Sequence, residues 1–145
     1  MVSDSIEVGE EVKRALGDLT SGFRWGVATS AYQVEGARAI GGRGSSIWDD
    51  FEKIPGSIKN GDSGEVTADH YRRYPDDIKM MVEHKIDSYR FSIAWARIFP
   101  ELSSGPNSQG LDHYERKLDL LLTSGIEPTV TLFHWDLPSF LEDLG

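Results

Sequence analysis

Residues 89–95 read Tyr89-Arg90-Phe91-Ser92-Ile93-Ala94-Trp95, and this stretch decides the fold. Its alternation sends Tyr89, Phe91, Ile93 and Trp95 to one side and Arg90, Ser92 and Ala94 to the other. That is a strand with an apolar outer face and a small or polar inner one. Helical patterns flank it. Upstream, Ile78, Met81 and Val82 stand at i, i+3 and i+4 in a segment that starts near Ala68. Thr67 can cap its first turn, and Pro75 suits the first position of a second segment. Downstream, after a loop over 100–110, Leu111, Tyr114, Leu118, Leu121 and Leu122 keep helical spacing, with Gly125 placed just past the helix end.

The same alternation of element types extends outward. Phe23 to Ser30 reads as a strand, since it is aromatic-rich and carries Val27 and Thr29. Residues 35–65 form a long glycine-bearing loop with one helical turn at Ile47–Phe51. Pro128 to Phe133 is a third strand, and Leu137 to Leu144 begins another helix. Residues 6–16 read as an amphipathic helix or an ordered tail, so the chain divides into an N-terminal segment, 1–22, and a domain, 23–145. Repeated βα units imply a parallel sheet with right-handed crossovers, an α/β fold.

Composition narrows the function. The chain has 145 residues, 24 acidic against 15 basic side chains and a net charge of -9. Such a surface repels phosphate backbones and argues against nucleic acid as a partner. No apolar run is long enough for a membrane span, and the polar, acidic start is no secretory signal peptide. There is no cysteine, which removes thiolate chemistry and fits a reducing, cytoplasmic compartment. His70, His84, His113 and His134 lack metal-ligand spacing, and Gly41-Gly42-Arg43-Gly44 lacks the Lys-Ser/Thr of a phosphate loop. Neither a metal nor a cofactor is expected. A neutral sugar is compatible with all of this.

In βα folds functional side chains gather where strands end. The first strand runs into Tyr32-Gln33-Val34-Glu35-Gly36, the second into Trp95-Ala96-Arg97, the third into His134-Trp135-Asp136. An amide, carboxylates, an arginine, an imidazole and indoles make a kit for recognising hydroxyl groups.

Five segments then carry a resemblance: ATSAYQVEGA (28–37), GRGSSIWDDF (42–51), ADHYRRYPDDI (68–78), YRFSIAWARIFP (89–100) and GIEPTVTLFHWDLP (125–138). In this order and spacing they resemble glycoside hydrolase family 1 over about residues 23–145. The resemblance implies the N-terminal part of a (β/α)8 TIM barrel, about three βα units of it, from a retaining β-glycosidase acting on a β-linked glucoside or galactoside. It implies that Gln33 holds sugar hydroxyls, that His134 and Trp135 contact the sugar, and that Arg90 lies beside the nucleophile. The strand parity of Arg90, read without the family, already turns it to the inner face. Glu35, Asp49 and Asp136 are expected to anchor loops.

Retaining hydrolysis needs two carboxyl groups about 5–5.5 Å apart. The family supplies them from an Asn-Glu-Pro motif and a Thr/Ile-x-Glu-Asn-Gly motif, and neither occurs here. Glu127-Pro128 starts a strand instead of ending one. A barrel of this type takes about 250 residues. This chain alone is therefore expected to be an inactive fragment, with the remainder of the barrel as its natural partner. The alternative is a non-catalytic sugar- or partner-binding module derived from the family. Ile40-Gly41-Gly42, His84-Lys85 and Ala96 depart from the family's usual Asp-Gly, Leu-Gly and proline.

Overall fold

The computed structural model describes residues 22–103 and 105–145, together with the single positions Arg14 and Gly17. Apart from Arg14, the helix or tail expected over 6–16 lies outside the described residues.

Among the described residues three parallel strands form one sheet in the order β1-β2-β3: β1 is Gly26–Ala28, β2 Ser88–Ser92 and β3 Glu127–Thr131. Gly26, Ser88 and Glu127 lie side by side at one end, and Ala28, Arg90 and Thr129 in line two residues on. Among the described residues the strands are accompanied by the α-helices α1 Ala31–Val34, α2 Ile47–Phe51, α3 His70–Glu83, α4 Trp95–Ile98, α5 Ser108–Thr123 and α6 Ser139–Glu142, and by a 3-10 turn at Lys59–Gly61. The long α3 connects β1 to β2, and α5 connects β2 to β3. This is the βα repeat of an incomplete barrel.

Burial follows the parity of β2. Tyr89 and Phe91 are buried with Ile78 and Met81 of α3, Tyr114 and Leu121 of α5, Ile98 and Ile126. Fully burying side chains of this size is worth about 1.5–3 kcal/mol each, so this cluster holds the helices to the sheet. Gly110 lets α5 close on α4, because a Cβ there would lie 2.4 Å from the Arg97 carbonyl oxygen. At the other end of α5, Gly125 takes φ 75° and accepts the left-handed turn that the sequence reserved for it. The Ile126 N–H then bonds the Leu121 carbonyl and the Gly125 N–H the Leu122 carbonyl, closing a Schellman motif.

Several expectations are corrected. Thr67 does not cap α3: it sits at φ 48°, and the helix starts at His70 after a left-handed Asp69. The orphan Tyr71 N–H is taken by the Glu35 carbonyl, 3.1 Å away, so tertiary contact replaces the side-chain cap. Pro75 opens no second segment but lies inside the continuous α3, forgoing the bond to the Tyr71 carbonyl. Val82 is 45% exposed and leaves the apolar stripe. Leu111 and Leu122 are likewise exposed on α5.

The strands are shorter than their patterns. β1 covers three residues of the stretch 23–30, all exposed, because it is an edge strand. β2 stops at Ser92, and Trp95 starts α4 instead of continuing the alternation. The turn is held by the Ala94 N–H, which donates to the Tyr114 hydroxyl at 2.8 Å. β3 begins at Glu127 and ends at Thr131, two residues before Phe133. Pro138 keeps the last helix from starting earlier than Ser139, since helical geometry is disfavoured for the residue before a proline, and the helix runs to Glu142.

Candidate sugar-binding rim

Parallel strands put all three C-terminal ends on one edge of the sheet; Gln33 follows β1, His134 and Trp135 follow β3, and Arg90 sits in the middle of β2, two residues before its end. Gln33 lies on α1, three residues after Ser30. The Ser30 hydroxyl donates to the Gln33 Oε1. α1 is fixed to its neighbour by the Ala31 N–H, which donates to the Ser92 Oγ at 2.7 Å. The inward Ser92 of the β2 alternation thus anchors the turn that carries Gln33.

Arg90 is half-buried on the strand face opposite Tyr89 and Phe91. Its Nη1 donates to the Thr29 carbonyl at 3.1 Å, and the Thr29 N–H donates to the Arg90 carbonyl at 2.9 Å. The Thr29 hydroxyl lies 2.6 Å from the Tyr89 hydroxyl, which approaches His70 Nε2 at 3.3 Å, and His70 Nδ1 meets Asp77 at 2.6 Å. Thr29 is therefore held by its backbone and by its side chain, and it in turn steadies the Arg90 guanidinium.

The third strand end presents rings. His134 and Trp135 are stacked, centroids 6.2 Å apart and planes 20° from parallel. Trp135 is 72% exposed and adopts φ 68°, a left-handed geometry that costs about 1–2 kcal/mol for a residue with a Cβ. A clamp holds the residues that follow: the Ile47 N–H bonds the Leu137 carbonyl at 2.8 Å, the Ser139 N–H the Ser45 carbonyl at 3.0 Å, and the Ser139 hydroxyl the Asp50 carboxylate. The long loop of the first unit thereby fixes the turn of the third.

Glu35, Asp49 and Asp136 are all buried beneath this edge. Glu35 receives the Tyr114 hydroxyl at 2.7 Å and the Arg97 Nε at 3.3 Å. Burial, reinforced by the charge of Glu35, pushes the Tyr114 phenol well above its ordinary range. Asp49 accepts the Ser46 N–H and hydroxyl at 2.7 and 2.8 Å and pairs with Arg38 and Arg43 at 2.9 and 2.8 Å. Asp136 is pushed up to about 6, chiefly by burial, against the pull of main-chain N–H groups of Asp136 and His134.

Sequence reasoning did not single out Tyr114, Thr29 or the Arg38–Arg43 pair. Tyr114 entered that reading only as a member of an apolar helical stripe, and Thr29 only as a strand-favouring residue. An apolar cavity of about 430 Å³ lies elsewhere, among Ile93, Trp95, Phe99, Leu111, Leu132 and Phe133. None of Gln33, Arg90, His134 and Trp135 lines it. Among the described residues no group of three His, Asp or Glu side chains could hold a metal ion, and no helix is long and apolar enough to cross a membrane.

A parallel βα sheet whose strands are joined by helices is part of a (β/α)8 barrel. Residues 16–145 match Glycosyl hydrolase family 1, and the chain belongs to that family. It is 56% identical over 123 residues to β-glucosidase A of Acetivibrio thermocellus, covering 85% of this chain and 28% of that protein. It is 50% identical to the family 1 β-glucosidase of Thermotoga maritima, with TM-score 0.83 over 86% of this chain and 28% of that one. A structure of the same Thermotoga enzyme in complex with castanospermine aligns at TM-score 0.82. The AHE enzyme of Alicyclobacillus herbarius aligns at TM-score 0.82 and 51% identity, over 85% of this chain and 27% of that one. The chain thus spans little more than a quarter of the length of these relatives.

Proposed function

We propose that this chain is the N-terminal part of a retaining β-glycosidase and carries one side of the sugar-binding site. Gln33 bridges adjacent sugar hydroxyls through an amide that both donates and accepts, His134 adds a ring N–H or nitrogen, and Trp135 offers a flat apolar face to the sugar ring. Arg90 stands where a guanidinium keeps a neighbouring nucleophilic carboxylate ionised. The 23–145 unit is the part of the barrel that does this, and a β-linked glucoside or galactoside is its ligand in the longer protein. A cytoplasmic setting suits a chain without cysteine.

One observation supports the reading: β1, β2 and β3 are parallel neighbours in the sheet, so the segments that follow β1 and β3 and carry Gln33 and the His134–Trp135 pair leave the same edge, with Arg90 on the strand between them. The relatives named β-glucosidase support the reaction type. The 145 residues hold neither family glutamate motif, so they bind without turning over. Incubation of the chain with a chromogenic β-glucoside tests this, with no release of chromophore expected; measurable turnover would refute it. Calorimetric titration with a simple β-glucoside then separates the readings. Weak binding fits a site missing its other side, and submillimolar affinity would favour a self-sufficient binding module.

A further inference from the structure

Asp136 ends the His134–Trp135 turn and is 2% exposed. Its Oδ1 has no hydrogen-bond partner among the described residues. An unpaired carboxylate oxygen in such a place costs several kcal/mol, roughly, unless the group takes up a proton. The charged groups that face it belong to neighbouring elements: Glu35, just past α1, which opposes its ionisation, and Arg43, before α2, which favours it. The imidazole of His134 lies on its own turn. Glu35 is already engaged by Tyr114 and Arg97, and Arg43 by Asp49 at 2.8 Å. Neither is left to neutralise Asp136. The residue between His134 and Asp136 is the one in left-handed geometry, Trp135 at φ 68°. Clamped beyond Asp136 by Leu137 and Ser139, and before it by the end of β3 at Thr131, the turn has its freedom confined to residues 132–136.

We propose that Asp136 is a proton-operated latch whose ionisation state sets the conformation of the turn that presents His134 and Trp135. Protonated, the carboxyl stays buried and the turn keeps the geometry described above. Ionised, the carboxylate draws toward water, and the chain it moves is the unclamped turn before it, which carries His134 and Trp135. The consequence for sugar binding rests on the reading of Trp135 given above; the latch itself does not.

Carbon-13 NMR of the Asp136 carboxyl, with the Trp135 indole N–H followed in parallel, tests the latch on the intact chain. The carboxyl is expected to titrate with a midpoint of about 6, and the indole signal to follow the same curve. Repeating it in His134→Gln removes the imidazole, and the indole transition should remain. In Asp136→Asn it should vanish. An Asp136 midpoint near the ordinary value of about 4, or an indole signal that ignores the Asp136 curve, overturns the proposal. Titration with a β-glucoside at both ends of the transition distinguishes the two claims: an intact latch with no glycoside contact at Trp135 would refute the sugar site alone.

Discussion

Lys85 and Gly125 occupy the same backbone station at the ends of α3 and α5. Each sits just past the helix in left-handed geometry, φ 55° and 75°. Each is followed by an isoleucine whose N–H bonds a carbonyl one turn back, Ile86 to Met81 and Ile126 to Leu121, both at 3.0 Å. Glycine takes this conformation freely, whereas lysine pays for its Cβ. Lys85→Gly is therefore expected to stabilise the chain by about 1 kcal/mol, the left-handed penalty less the added freedom of the unfolded state. Urea unfolding measures it, and an unchanged or lower midpoint would show that Lys85 makes a compensating contact.

Lys117 of α5 is 1% exposed, with its Nζ 4.0 Å from the Phe91 ring centre and 5.3 Å from that of Tyr89. Burial pulls its ammonium down to about 8 from 10.5, against the opposing pull of Glu35 and Asp77. Between those values the unfolded chain keeps a proton that the folded chain has released, so stability rises with pH across that window. The full gain is about 3 kcal/mol at most, and the raised Tyr89 and Tyr114 phenols begin to oppose it above about 10. Lys117→Met should flatten the rise and raise stability at neutral pH, where a buried cation gives way to a side chain that packs on both rings. Denaturant midpoints collected from pH 7 to about 10 decide it; a wild-type curve that falls throughout would contradict the argument.

Tyr114 ties three units together: it donates to Glu35 at 2.7 Å, accepts the Ala94 N–H at 2.8 Å and lies in the core with Phe91. Tyr114→Phe keeps the ring and strips both bonds, leaving a buried carboxylate oxygen and a buried N–H short of a partner. The expected cost is about 2–4 kcal/mol, well above that of an exposed tyrosine. Thermal melts of the variant give the number, and a loss below about 0.5 kcal/mol would mean that solvent replaces the hydroxyl.

The order of elements was legible because the alternation of 89–95 and the helical stripe of 111–122 obey different periods. Gly125 was legible because only a few residues suit a left-handed station. Boundaries were not. Trp95 continues the alternation on paper, yet β2 ends at Ser92 and, with the Ala94 N–H bonded to Tyr114, Trp95 starts α4. Thr67 looks like a cap, but Glu35 supplies its bond from 36 residues upstream of Tyr71. The site shows the same divide. Strand ends announce Gln33 and His134 through local sequence, whereas Thr29 acts through partners 60 and 61 residues away, Tyr89 and Arg90, and no local pattern records such pairings.

Trp135 separates binding from folding more cleanly than any other residue at the rim. It is 72% exposed, and its ring touches the protein through His134. Truncation of so exposed a ring removes little buried area, so Trp135→Ala should change stability by no more than about 0.5 kcal/mol. Loss of a stacking face should weaken β-glucoside binding at least about tenfold, the equivalent of 1.4 kcal/mol. Gln33→Ala offers the complementary loss, of hydroxyl contacts and not of a platform. A Trp135→Ala chain that binds glycoside as the parent does would move the sugar off this rim. A chain that unfolds would make the indole a structural wedge, and the left-handed backbone at φ 68° would then exist for packing.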